Sequence, residues 1–309
     1  MAQQIVAAIV QGDVRRGTAE VLGLLASHVD IVILSTWEGE LLGGVVPEGV
    51  ELVVSKKPRV PGYSHRNYQR ASTVAGLRRA IQLGATHVLK WRTDMLPTKL
   101  NVDQLVRWSK ENVPDGVKSR YVTCAFRNLT VTDDWFSSIP DLFGFGEISV
   151  MNLVWGDEGF DYSADFNAPL TMSNEVGNHW VDDNNVGSIY CAESELYAIF
   201  RDRLQALTGQ QLDHCTIAKN YMRLFNHNKL GVCWFGSDGN FRSILQAIEH
   251  PWWTEFRWRY LSPRTVKRGY PNRGIVKQLL RTVIGPVAIA YNVALQRRWY
   301  KRYLENKVG

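Results

Sequence analysis

Cysteine is scarce in this chain. The four residues Cys124, Cys191, Cys215 and Cys233 show no C-x-x-C spacing, which argues against a disulfide-stapled scaffold or a zinc finger. They read as reduced cytosolic thiols. Long apolar runs are missing too: the uncharged stretch Thr282 to Leu295 has 14 residues, is interrupted by Gly285-Pro286, and is too short for a membrane span. The opening Met1-Ala2-Gln3-Gln4 has no basic flank, and the apolar segment after it stops at Gln11 and Asp13, so no secretory leader is expected. Internal repeats and low-complexity tracts are also lacking.

Two glycine patterns fall short of the phosphate-binding loops they resemble. Gly12-x4-Gly17-Thr18 lies between a strand and a helix, but Arg16-Gly17-Thr18 stands where Gly-Lys-Ser/Thr would be needed, so the phosphate-reaching lysine is missing. Gly144-Phe145-Gly146 has Ser149 in place of the third glycine of a dinucleotide fingerprint. Neither an NTPase nor a dehydrogenase is supported.

Positive charge is distributed in blocks. Residues 128 to 200 contain no Lys or Arg and 13 acids, whereas residues 251 to 309 hold 13 bases and 2 acids. The first 127 residues carry 17 bases against 11 acids, and the whole chain has a net charge of +6. Aromatics and bases coincide only in the tail and no recognition motif is present, so nucleic-acid binding is not expected.

What is present is a strand-helix alternation. Ile5 to Val10, Asp30 to Thr36, Val50 to Val54 and the run from His87 are apolar strands. Thr18 opens a first helix, and Asn67 to Leu83 forms another, with Val74, Leu77 and Ile81 inward and Gly84 as its stop. The order β-α-β-β-α-β predicts an α/β fold with a mostly parallel sheet flanked by helices. Beyond it, Val102 to Asn112 reads as a helix, Arg120 to Phe126 as a strand, Asp141 to Gly146 as a strand end or turn, and residues 156 to 188 as a long insertion. Glu193 to Ala206 and Asp213 to Phe225 read as helices, and Gly231 to Phe235 as a short last strand. One domain over residues 1–250, with halves 1–127 and 128–250, followed by a basic helical extension over 251–309, accounts for the length.

The chain is organised around His87-Val88-Leu89-Lys90-Trp91-Arg92-Thr93-Asp94. Ligands bind at the C-terminal ends of strands in open α/β sheets. Alternation puts Lys90, Arg92 and Asp94 on one face of that end, with Trp91 and Thr93 on the other. Cations there suit a phosphate-bearing leaving group, and a carboxylate suits a divalent metal.

Leu34-Ser35-Thr36-Trp37-x-Gly39-Glu40, Asn67-x-Gln69-Arg70-x-Ser72-Thr73-x-x-Gly76-Leu77 and Leu89-Lys90-Trp91-Arg92-Thr93-Asp94 together resemble the WavE-type lipopolysaccharide-synthesis proteins. Asp141-x-Phe143-x-Phe145-Gly146 and Glu195-Leu196-Tyr197 extend the resemblance more thinly. The resemblance implies a glycosyltransferase with a GT-A-like fold, a nucleotide-sugar donor, and a glycan or lipid-linked acceptor. It implies that Gln11, Gly12, Ser35, Thr36 and Trp37 line the base and ribose, that Asn67 and Arg70, with Ser72 and Thr73, lie near the sugar, and that Lys90, Arg92 and Asp94 face the diphosphate. Taken singly, Ser72 and Thr73 read more simply as cap or turn residues. Arg92-Thr93-Asp94 occupies the place of the family's Asp-x-Asp, so Mn2+ or Mg2+ would be held by Asp94 alone, or replaced by the cations of Lys90 and Arg92.

Transfer with inversion requires a carboxylate base. The acidic block offers Asp133, Asp134, Asp141, Glu147, Glu193 and Glu195; Glu195 ranks first because it matches the family's Glu-x-Tyr, and Asp141 second. Asp157, Glu158, Asp161 and Asp165 read as solvated loop charges. Flanked by Arg and Lys and accompanied by Trp252, Trp253, Trp258 and Trp299, the tail reads as a segment lying on an anionic membrane surface at the cytoplasmic face, or else as a final core helix. Two other readings compete: a sugar-nucleotide nucleotidyltransferase, disfavoured by the missing basic glycine loop, and a non-catalytic protein that binds anionic polymer or membrane.

Overall fold

A computed structural model describes residues 3–62, 65–124, 139–162, 192–236, 240–241, 254–259 and 273–308. Asp133, Asp134, Asp165, Trp252, Trp253 and most of the 156–188 insertion lie outside the described residues.

The apolar runs become strands β1 (Val6–Gln11), β2 (Ile31–Trp37), β3 (Glu51–Ser55) and β4 (His87–Arg92). Helix α1 (Thr18–Ala26) follows β1, and α2 (Arg66–Gln82) joins β3 to β4. After β4 come β5 (Met95–Pro97), α3 (Val102–Lys110), β6 (Tyr121–Thr123), β7 (Gly144–Glu147) and α4 (Ile148–Trp155). Helix α5 (Ala192–Thr208), strands β8 (Met222–Leu224) and β9 (Val232–Trp234), and helices α6 (Thr254–Arg259) and α7 (Arg273–Val308) follow, with short helical turns at His214–Thr216, Ile217–Tyr221 and His227–Leu230.

Seven strands form one sheet in the order β3-β2-β1-β4-β7-β6-β8, in which only β7 runs against the others. The chain steps outward from β1 to β3 and then returns to the opposite side of β1 to lay down β4. The C-terminal ends of β1 and β4 are therefore a topological switch point, where an open α/β sheet leaves a crevice. Both faces of the sheet are covered. Ala7 and Ile9 of β1 join the core beneath α2, α4 and α5, while Val6, Ala8 and Val10 join the core shared with α1, α3 and α7.

Several sequence expectations needed correction. Asp213 to Phe225 is not one helix: after a short helical segment and a π-turn, Met222–Leu224 becomes an edge strand paired with β6. Backbone pairing at an open sheet edge outweighs helix propensity there. The Gly/Phe-rich stretch is a full strand inside the sheet, and its glycine is required because a Cβ at Gly144 would collide with the Tyr121 hydroxyl. The last short strand leaves the main sheet and pairs antiparallel with β5.

The tail is helical as expected, and it is its tryptophans that require revision. Residues 273–308 form one helix, and its second half packs on the core through Trp299, Leu295, Tyr300 and Tyr303. Trp299 and Trp258, read as headgroup anchors, are both buried; the Trp258 indole N–H donates to the Ala218 carbonyl at 2.6 Å. A buried indole whose N–H finds a carbonyl acceptor is satisfied as a core residue. Among the described residues, no helix is long and apolar enough to cross a membrane.

Candidate functional site

At the switch point the β1–α1 turn is tied to the end of β4. Gly12, at φ 118°, donates its N–H to the Ser35 carbonyl at 3.1 Å. The Thr93 hydroxyl donates to the Asp13 carbonyl at 2.7 Å, and that of Thr18 to the Thr93 carbonyl at 3.1 Å. These bonds hold Arg15 above the strand ends. In register, Gln11 lies beside Ser35 on one side and Arg92 on the other.

Asp94 is the centre of the arrangement. Its carboxylate receives two bonds from the Arg92 guanidinium, both at 3.0 Å, one from Arg15 Nη1 at 2.8 Å, and one from the Trp234 indole N–H at 3.1 Å. Phe235 also donates its backbone N–H to the Asp94 carbonyl at 2.9 Å. Arg92 reaches the Asp141 carboxylate at 3.0 Å with its remaining nitrogen, so two carboxylates share one guanidinium. Burial penalises the Asp94 charge, but Arg92, Arg15 and the indole more than offset it and hold its pKa below the usual range. Burial also opposes the Arg92 charge, and Asp141 with Asp94 raises its pKa nevertheless.

Lys90 is fully buried. Its ammonium donates to the Asp141 carbonyl and lies 4.7 Å from the centroid of the Trp155 ring. Burial, only partly countered by Asp141, lowers its pKa to about 8. Lys90 thus grips the backbone of Asp141 while Arg92 grips its side chain. The structure brings Lys90, Arg92, Asp94 and Asp141 into one cluster and adds Arg15 and Trp234, which the sequence reading missed. The only sequence trace of Arg15 is its place in the glycine turn after β1; Trp234 has none, because its contact depends on β9 crossing back to β5.

A second group gathers at the N-terminal turns of α2 and α5. Asn67 donates to the carbonyls of Val60 and Tyr162, both at 2.9 Å, and accepts from Arg66. Arg70 donates to the Gly156 carbonyl at 2.6 Å, beyond the last turn of α4, where orphan carbonyls favour a cation. Both guanidiniums lie over the Phe160 ring, at 4.5 and 4.4 Å. Burial lowers the Arg70 pKa to about 10. Asn67 and Arg70 do share a face, and the bonds they make hold the segment 154–162 in place. Glu195 belongs to this group, 3.2 Å from Arg66; burial raises its pKa, with Arg66 and Arg70 pulling the other way.

Between the groups, Gln11 accepts from the Ser72 hydroxyl at 2.7 Å, and Ser35 donates to the Ser72 carbonyl at 2.7 Å. Trp37 packs edge-on against Tyr68, with the Lys57 ammonium near both rings. Thr36 is buried, and its hydroxyl has no hydrogen-bond partner among the described residues. Thr73 bonds the Gln69 carbonyl one turn back.

In this arrangement a divalent cation does not fit at Asp94. Its oxygens are occupied by Arg92, Arg15 and Trp234. Arg15, Arg92 and Lys90 stand against Asp94 and Asp141, a balance that favours an anion over a dication.

No family model and no curated protein matches the chain. Among solved structures it is similar to one described as the crystal structure of a glycosyltransferase involved in the glycosylation of the major capsid of PBCV-1. That similarity has a TM-score of 0.29 and 11% identity, and covers 59% of this chain and 79% of that one. A superposition that loose carries no functional weight.

Proposed function

We propose that this chain is a GT-A-like glycosyltransferase that moves a sugar from a nucleotide-sugar donor to a glycan or lipid-linked acceptor, in the manner of the WavE-type lipopolysaccharide-synthesis proteins its motifs resemble. The observation that carries the proposal is the Arg15–Asp94–Arg92–Asp141 cluster at the switch point of the sheet. A donor diphosphate entering there meets two guanidiniums whose fork geometry suits phosphate oxygens. Arg15 is half-exposed, so it is the group free to turn from Asp94 to the ligand, while Asp94 and Asp141 hold Arg92 in place.

In the proposed reaction a carboxylate takes the proton from an acceptor hydroxyl. The oxygen forms its bond to the anomeric carbon as the bond to the diphosphate breaks, and the diphosphate leaves with the electron pair. Glu195 serves as base in this scheme, since burial makes it a better proton acceptor than a solvated carboxylate. Asp141 acts through Arg92. A Mn2+ or Mg2+ ion at Asp94 would require Arg15 to withdraw first.

The test is transfer from a panel of nucleotide sugars, with EDTA or with added Mn2+. Asp94→Asn and Glu195→Gln are expected to abolish transfer. Arg15→Ala, at a half-exposed position, is expected to stay folded and raise the donor KM about tenfold or more, the loss of one charge-assisted contact. Full activity of Asp94→Asn would overturn the proposal, and loss of activity in EDTA would return the metal to the scheme. We further place the protein at the cytoplasmic face of a membrane, where lipid-linked acceptors sit.

A further inference from the structure

A cleft of about 540 Å3 lies between the C-terminal end of α1, the residues following β5 and the last turns of α7. Its volume is that of a small-molecule site. The charged lining is all of one sign: Lys99, Arg302 and Lys307, with no carboxylate among the lining residues. Trp299 and Tyr303 form aromatic walls, and the Lys99 ammonium lies 4.7 Å from the centroid of the Trp299 ring. Lys307 stands in the last turn of α7, where it also offsets the carbonyl end of its own helix. Lys99 and Arg302 have no such task. Glu305, the acid on this part of α7, is paired with Lys301. Glu20 on α1 is close enough to help raise the Tyr303 pKa, after burial, but it does not line the cleft.

We propose that this cleft is a second ligand site, for a phosphate-bearing small molecule. The phosphate sits among Lys99, Arg302 and Lys307, and an apolar or ring-shaped portion lies on Trp299 and Tyr303. Charge-assisted bonds from a guanidinium and two ammoniums supply the recognition of the phosphate, and the aromatic walls supply apolar contact. The cleft is not part of the switch-point site: α1 begins beside Arg15 and Thr93, and the cleft lies toward its far end, at Gly23, Leu24 and Ser27. The two are joined through the fold, because Lys99 follows the strand that leaves Asp94, and Trp299 is on the helix whose Gln296 accepts from the Trp234 backbone N–H at 2.8 Å. This inference does not depend on the transferase reading.

The same phosphate chemistry is offered by a free phosphate compound and by a lipid headgroup, so two probes are required. Inorganic pyrophosphate binding is measured by calorimetry on the full chain carrying Arg15→Ala, which weakens the switch-point site. Sedimentation with phosphatidylglycerol vesicles is measured in parallel. The pair Arg302→Glu with Lys307→Glu is expected to weaken at least one probe by about tenfold or more, roughly 1.4 kcal/mol. The pair Arg297→Glu with Arg298→Glu makes the same charge change on the same helix outside the cleft and is expected to leave that probe's affinity within about twofold, well under the tenfold step. Whichever probe responds in this way identifies the source of the phosphate. Absence of binding by both probes, or equal losses in the two paired variants, overturns the proposal.

Discussion

Lys90 shows what a single buried charge does to this site. Sequence alternation correctly put it on the same face as Arg92 and Asp94, but it could not show that the ammonium would be sealed beneath Trp155, because Trp155 arrives on α4, 65 positions later in the chain. An ammonium with a pKa near 8 carries a stability cost with a definite sign. Between about pH 8 and the ordinary lysine value near 10.5, the unfolded chain holds a proton at Lys90 that the native chain has released, so stability rises with pH across that window. Below about pH 8 the cost is borne in full, on the order of 3 kcal/mol. Lys90→Met is therefore expected to be more stable than the parent chain near neutral pH and to lose the gain between about pH 8 and 10.5. Urea unfolding of both proteins across that range is the check, and identical pH slopes would show that Lys90 does not titrate there. Arg15 and Trp234 were not legible for the same reason as Trp155: their roles arise from a turn and a strand that meet Asp94 only after the chain has folded.

Among elements, those built on local signals were the ones the sequence could announce. Strands β1 to β4 are short apolar runs, and α2 buries Val74 and Leu77 as expected, so each appears within a residue or two of its expected bounds; Ile81, expected inward on α2, is instead 45% exposed. Gly76, noticed only as part of a motif, has a packing reason: a Cβ there would collide with Ile9, so its absence lets α2 lie close on β1. The three-residue strands β5 and β8 have too little pattern to be read, and they exist because a neighbouring edge supplies hydrogen bonds, whereas β9 was expected as a short strand but not in its pairing with β5. Helix α7 shows what composition left open. Its bases and tryptophans fitted either a segment on a membrane surface or a final core helix, and Trp299, 6% exposed, is part of the core on the α1 side. Trp299→Ala is expected to cost about 3–5 kcal/mol of stability in plain buffer, with the urea midpoint falling accordingly. An indole serving only as a headgroup anchor would leave the midpoint unchanged in the absence of lipid.

At the level of the whole molecule, charges that are segregated along the sequence are paired in space. Acids of the 128–200 block meet bases of the front: Asp141 with Arg92, Asp157 with Arg78, and Glu195 with Arg66. Asp157, read as a solvated loop charge, is thus engaged at 2.7 Å. In the tail, Glu255 is surrounded by Arg223, Lys229 and Arg259 at 3.1, 2.6 and 2.9 Å, which ties α6 to β8 and to the turn before β9. Burial disfavours the Glu255 charge, but the bonds from Lys229 and Arg223 outweigh it and bring its pKa to about 2. Asp94 is displaced in the same direction. For both, the native chain binds fewer protons than the unfolded chain once the pH falls below the ordinary carboxylate range, so the stability they contribute is present near neutrality and drains away with acid. For Glu255 the window runs from about pH 4.5 down to about 2. Because Lys229 and Arg259 are largely exposed, solvent screening reduces the expected contribution to the order of 2 kcal/mol. Glu255→Gln should therefore lower the urea midpoint near neutral pH and flatten its decline through that acid window. A variant with the parent's full acid dependence would assign acid lability to Asp94 and the switch-point cluster instead.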